Sequence, residues 1–188
     1  VLYDSLGLER LIFFSDAVFA IAITLLVLDI RLPAGQGNMN NHQLLSVLLS
    51  LWPKYLAYLI SFLVIGSVWM GHHRKFRMMH AYDRKLLLIN LLLLMAVAFT
   101  PFPTSVLSEF GNRTATIFYA LSIGLMGLLS TALWSYAANF AGLVQDEISP
   151  GQIRQETVRG AVIPIVFLLS IGLAFWNDEL AKYSWVLI

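Results

Sequence analysis

The stretch LIFFSDAVFAIAITLLVLDI, residues 11–30, constrains this chain more than any other. An α-helix rises 1.5 Å per residue, so about 20 mainly apolar residues cross the hydrocarbon core of a bilayer. The run has that length, yet it carries Asp16 near one end. A carboxylate at mid-depth costs about 2.5–3.5 kcal/mol on insertion scales. A chain that keeps one there lets it snorkel or cap the helix, or gives it polar partners on neighbouring helices. A cleaved leader would pair a basic start with a shorter apolar stretch. The full length of the run, with Asp16 and Asp29 inside it, reads as a spanning helix.

Four more runs repeat the pattern. A second span lies within residues 44–70, with Trp52, Tyr55 and Tyr58 towards its start and Trp69 at its end, as interfacial aromatic belts require. Pro53 and Lys54 set residues 44–51 apart as an interfacial turn or a helix start outside the core. The third span, 86–102, is expected to stop at Pro101 and Pro103, because residues before proline avoid helical geometry. The fourth, 115–140, carries Ala120, Gly124, Gly127 and Ser130, small residues that let helices approach closely in lipid. The fifth, 161–176, is entered through the charged stretch DEISPGQIRQETVRG. The polar linker GQGNMNNH reads as a loop, and ELAKYSWVLI as the opening turns of a sixth helix. The chain starts at Val1 with no Met, as a sequence trimmed at both ends would. Only 12% of the 188 residues are charged, against about 25% in a soluble domain. The expected fold is an all-α integral membrane protein, a single domain over residues 1–188 with six transmembrane helices per subunit and the sixth cut short.

Charge sets the expected orientation. Arg10, Arg74, Lys75, Arg77, Arg84, Lys85, Arg154 and Arg159 fall on one side of the predicted spans, and Arg31, Lys54, Arg113 and Lys182 on the other. The positive-inside rule places the first side, with the N-terminus, in the cytoplasm. A net charge of +1 argues against a nucleic-acid partner, whose footprint is a basic patch.

No enzyme chemistry is legible. G-x-S-x-G, a P-loop and H-E-x-x-H are all absent, and with no cysteine there is neither a thiolate nor a disulfide. His72, His73 and His80 cluster among basic residues in the expected loop after the second span, but adjacent histidines do not share a helix face, so no metal is expected. Asp146, Glu147 and Glu156 read as a solvated loop, and Asp29 as an interfacial residue beside Arg31.

An ionisable residue within a span is a functional-site hypothesis whose partners should be named. On the expected topology Trp69, His72 and Asn90 share the depth of Asp16 and are its candidate partners. At 100° per residue, Ala17, Ile21, Thr24, Leu25 and Leu28 fall within an arc of roughly 100° on the first helix. A stripe of large apolar side chains with one hydroxyl is ordinary packing or a pore lining. Arg10 extends the same stripe.

Arg10 followed after three residues by Phe14-Ser15-Asp16 spells R-x-x-x-F-S-D at the start of the first span. With the continuation AVFAIAITLLVLDI, the basic histidine-containing stretch after the second span and the helix count, this resembles the bacterial branch of the transmembrane protein 175 family of potassium channels. The resemblance implies a homotetramer in the plasma membrane, with helix one of each subunit around a central pore. It carries the apolar constriction onto Ile21, Leu25 and Leu28, the selectivity hydroxyl onto Thr24, and a structural network onto Arg10, Phe14, Ser15 and Asp16. No cofactor is implied; potassium is the permeant ion. Neither the family nor this chain has a T-V-G-Y-G filter. The function expected is a leak-type potassium-selective channel. The rivals are a proton channel of the same fold, and a small multipass scaffold or secondary transporter.

Overall fold

The computed structural model describes residues 2–3, 5–33 and 39–185. The Gly35–Asn38 part of the expected linker and the last three residues of ELAKYSWVLI lie outside the described residues. The elements run β1 (Leu2–Tyr3), α1 (Ser5–Leu25), a 3-10 turn (Leu26–Asp29), α2 (Asn41–Ser50), α3 (Trp52–Arg77), β2 (Tyr82–Asp83), α4 (Arg84–Phe99), α5 (Pro101–Phe110), α6 (Arg113–Asn139), α7 (Pro150–Trp176) and α8 (Asp178–Ser184). Among the described residues, five stretches are long and apolar enough to cross a membrane: Leu6–Asp29, Trp52–Arg77, Arg84–Phe110, Arg113–Asn139 and Pro150–Trp176. The described part of the expected sixth span is the short α8.

Three boundaries differ from the sequence reading, each for a local reason. Pro101 and Pro103 do not stop the third span. Pro101 opens α5, where its missing N–H would be unpaired anyway, so the two helices continue as one crossing. The α5 helix ends at Gly111, whose left-handed φ of 57° lets its N–H return to the Leu107 carbonyl. The α3 helix runs past Met70 to Arg77, so His72 and His73 are helical rather than in a loop. Arg74, Lys75 and Arg77 there complement the negative end of the helix dipole. The charged stretch before the fifth span is itself mostly helix: Ser149 and Gln152 form a capping box, and α7 begins at Pro150.

Polar contacts tie both ends of the bundle. At one end β1 pairs antiparallel with β2, Met79 bridges to Val144, and the Tyr136 hydroxyl donates to Asp83, which also caps α4 through the Leu86 N–H. At the other, Lys54 pairs with Glu109 at 3.2 Å and the Lys182 ammonium donates to the Gly111 carbonyl at 2.7 Å. Between them lies a core of Phe19, Ile65, Leu93, Ile123, Met126 and Phe167. Helices α6 and α7 approach so closely that a Cβ on Gly127 would sit 2.7 Å from Pro164 Cδ. Ser61 bonds the Thr104 and Tyr119 hydroxyls at 2.8 and 2.9 Å, joining α3, α5 and α6.

Candidate functional site

Helix α1 has two unlike faces. Leu8, Leu11, Ser15, Phe19 and Ala22 are buried and fall within an arc of about 80° at 100° per residue. Arg10, Phe13, Phe14, Ala17, Ala20, Ile21, Thr24 and Leu25 are exposed on the opposite side. The stripe expected from the sequence lies on this uncovered face, with Ile21 58% and Leu25 43% exposed. Val18, beside the stripe, packs against the core. The Thr24 hydroxyl donates to the Ile21 carbonyl at 2.9 Å, so its proton is committed and its oxygen lone pairs face outward.

Leu28 departs from the helical arithmetic. It lies in the 3-10 turn, where side chains three apart eclipse, so it stacks over Leu25 instead of about 60° around from it. The turn is pinned. Asp29 accepts from the Ser105 and Ser108 hydroxyls at 2.6 and 2.7 Å, and the Leu28 carbonyl accepts from Arg31 Nε at 2.8 Å. Asp29 is thus a clamp onto α5 rather than a bare interfacial residue. The sequence signal was the Ser105/Ser108 pair one turn apart, hidden by the reading that the prolines end the helix.

The buried face carries the network, and it is divided. Asp16 accepts from Trp69 Nε1 at 2.8 Å. Ser15, fully buried, donates to the Leu11 carbonyl at 2.8 Å and accepts from Asn90 Nδ2 at 3.0 Å. With the serine proton committed to Leu11, the Asn90 amide turns its NH2 to Ser15 and its oxygen to His72 Nε2, 2.9 Å away. That orientation puts the imidazole proton on Nε2 and leaves buried Nδ1 without a partner among the described residues, while the ring stacks on Phe76 with centroids 4.2 Å apart. The three expected partners therefore surround the F-S-D segment, but only Trp69 reaches Asp16; Asn90 and His72 are reached through Ser15. Arg10 and Phe14 stay outside. Both are exposed, and among the described residues Arg10 makes no hydrogen bond or ion pair.

Glu156 overturns its reading as a solvated loop residue. It is buried in α7, with carboxylate oxygens 3.3 Å from Arg74 Nε and 2.9 Å from Arg159 Nη1.

The family model described as "Endosomal/lysosomal potassium channel TMEM175" matches residues 10–101, which span Arg10, the F-S-D segment, the exposed stripe and Asn90. A potassium channel of Streptomyces collinus is 39% identical over 172 residues, covering 89% of this chain and 82% of its own. The chain belongs to the TMEM175 family. The crystal structure of a lysosomal potassium-selective TMEM175 homologue from Chamaesiphon minutus superposes with a TM-score of 0.84 at 36% identity, over 95% of this chain and 92% of that one. A TMEM175 relative from Gallus gallus, named an endosomal/lysosomal proton channel, is 32% identical over 141 residues, 72% of this chain and 28% of that protein. The family is one of ion channels, not enzymes, and the TMEM175 fold here is that of a multipass membrane protein.

Proposed function

We propose that this chain is a leak-type potassium-selective channel of the plasma membrane, formed by four copies around a central path lined by α1. The observation that carries the reading is the uncovered apolar face of α1, backed by polar anchors that fix its orientation. In the tetramer Ile21, Leu25 and Leu28 form stacked apolar rings, and a narrow apolar constriction gates by dewetting. The Thr24 oxygens, with their protons committed, offer lone pairs to a partly dehydrated cation. Potassium dehydrates more easily than sodium, so it passes preferentially. Selectivity is modest, because one ring of side chains replaces hydration less completely than stacked carbonyl rings. The basic end of the bundle, with the N-terminus, faces the cytoplasm. Arg10 and Phe14 are positioned for a neighbouring subunit.

The test is a flux assay on purified protein in liposomes, with potassium, sodium and proton gradients compared, followed by reversal potentials in planar bilayers. Potassium flux above sodium flux, with lower preference in Thr24→Val, is the expected result. Proton flux without potassium flux would move the assignment to the proton-channel reading, against which stands the lack of a titratable group among Ile21, Thr24, Leu25 and Leu28. A conducting monomer would overturn the central path.

A further inference from the structure

Away from α1, a small cavity of about 40 Å³ opens between α3, α6 and α7. Lys75, Ser130, Arg74, Arg159 and Glu156 supply its polar lining, and Gly71, Gly127 and Gly160 line it with backbone. Its charges do not cancel. Each Glu156 oxygen is already paired, one with Arg74 and one with Arg159. Lys75 is only 2% exposed, and its ammonium donates to the Ser130 carbonyl at 3.0 Å and the Ser130 hydroxyl at 2.8 Å. An ammonium has three donors, so one remains for the cavity. Three cations thus share one carboxylate, and the least accessible of them makes no close ion pair among the described residues, feeling Glu156 only at longer range. A buried charge ordinarily has a paired partner.

We propose that this cavity is an anion site that takes a phosphate group, carried by an anionic lipid headgroup or free in solution. Arg74 and Arg159, about half exposed at the rim, present guanidinium forks that match phosphate oxygens, while the Lys75 ammonium meets the oxygen that enters deepest. The volume suits a small tetrahedral group and excludes a larger headgroup moiety, which would stay outside. The site lies at the basic end of α3, where Arg74, Lys75 and Arg77 fill the last turn, and a cluster of that sign beside a spanning helix attracts anionic headgroups. The site does not depend on how the chain conducts.

The experiment titrates the purified full chain in phosphatidylcholine nanodiscs, whose zwitterionic headgroup masks its own phosphate with choline, with phosphatidylglycerol, with diacylglycerol as the phosphate-free control, and separately with inorganic phosphate. Binding is read by native mass spectrometry and by the shift in unfolding midpoint. The variants are Arg159→Gln, Arg74→Gln and Lys75→Met, with Arg77→Gln as the control, because Arg77 shares the basic helix end but does not line the cavity. Saturable phosphatidylglycerol binding that weakens about tenfold in each rim variant and is unchanged in Arg77→Gln is the expected result. The same pattern with inorganic phosphate alone makes the source soluble. The rim variants decide the matter even if Lys75→Met fails to fold. Equal weakening in Arg77→Gln means general surface attraction, and no saturable binding of either probe means a cavity filled by water; both overturn the proposal.

Discussion

Replacing Asn90 with alanine removes two hydrogen bonds at once, to His72 Nε2 at 2.9 Å and to Ser15 Oγ at 3.0 Å. The losses are unequal. Ser15 keeps its bond to the Leu11 carbonyl, so its hydroxyl loses only an incoming donor, worth about 0.6 kcal/mol by the average for hydrogen bonds within membranes. His72 is left worse off. Its Nδ1 already has no partner among the described residues, so the variant leaves both ring nitrogens of an imidazole that is 1% exposed without one. An unsatisfied buried polar group costs about 1–3 kcal/mol, which brings the total to about 2–4 kcal/mol. The assay is reversible unfolding of the reconstituted protein by titrated dodecyl sulfate, followed by tryptophan fluorescence and helix content. His72→Phe with Asn90→Leu supplies the cross-check, since replacing both partners by apolar groups of similar shape is nearly neutral. The double variant should therefore lie closer to the parent than Asn90→Ala does. A loss below about 0.5 kcal/mol in Asn90→Ala would mean that water or rearrangement satisfies His72, and that the network does not hold α1 to α3 and α4.

Three further perturbations probe the other ends of this reasoning. Ile21→Asn places polar groups in the proposed apolar ring and should raise single-channel conductance about tenfold, a barrier change of about 1.4 kcal/mol, while lowering potassium preference; Val18→Asn, which touches the core, should cost stability without opening the path. Asp29→Ala removes the acceptor of two serine hydroxyls and should lower unfolding stability by about 1.5–3 kcal/mol, whereas Glu109→Ala, which breaks an exposed ion pair, should cost under about 1 kcal/mol; the reverse order in the same titration would mean that the 3-10 turn needs no clamp. At the α3–α4 turn, burial pushes the Asp83 carboxyl up, but the Tyr136 hydroxyl and the Leu86 and Lys85 amides outweigh it and hold it below its ordinary 3.8; stability from this cap is full above that value and lost as pH falls through the depressed one, so Asp83→Asn should flatten the acid limb of the melting-temperature profile, and an unchanged limb would remove Asp83 from the account.

The parts of this molecule legible in the sequence are those where a local rule meets the membrane. Apolar runs near 20 residues gave five of the crossings, because backbone groups in lipid are satisfied only within helices. Asp16 announced itself by its cost, and depth alone brought Trp69, His72 and Asn90 to its neighbourhood. Depth gives no direction, however, so the division of labour between Ser15 and Asp16 was not readable. The boundaries failed where one residue type supports opposite outcomes. Pro101 ends a helix if it sits inside one and begins a helix if it sits at the first turn, and nothing local distinguishes the two. Glu156 failed in the same way: a charge ten positions from Asp146 in a polar stretch looks solvated until Arg74, 82 positions earlier, arrives from another helix.

Exposure alone does not explain why the bare face of α1 should line a path when other helices also show large apolar side chains outward. Leu169 on α7 is 67% exposed and Leu121 on α6 50%, as side chains that meet lipid should be. The α1 face differs in what accompanies its apolar residues. Ala17 and Ala20 lower its profile, which permits close approach of a second helix, and Thr24 breaks the stripe with an outward oxygen. Arg10 lies on the same face, and a guanidinium facing lipid needs either water or an acceptor. A face combining small residues, a hydroxyl oxygen and a cation unpaired among the described residues is poorly matched to acyl chains, which favours the proposed assembly around a water-filled path. The anchors complete the argument. Ser15 and Asp16 hold one end of α1 to α3 and α4, Asp29 holds the other to α5, and all of these contacts lie on or beside the covered side. The helix is fixed in rotation by its back, which leaves its front free for the proposed path.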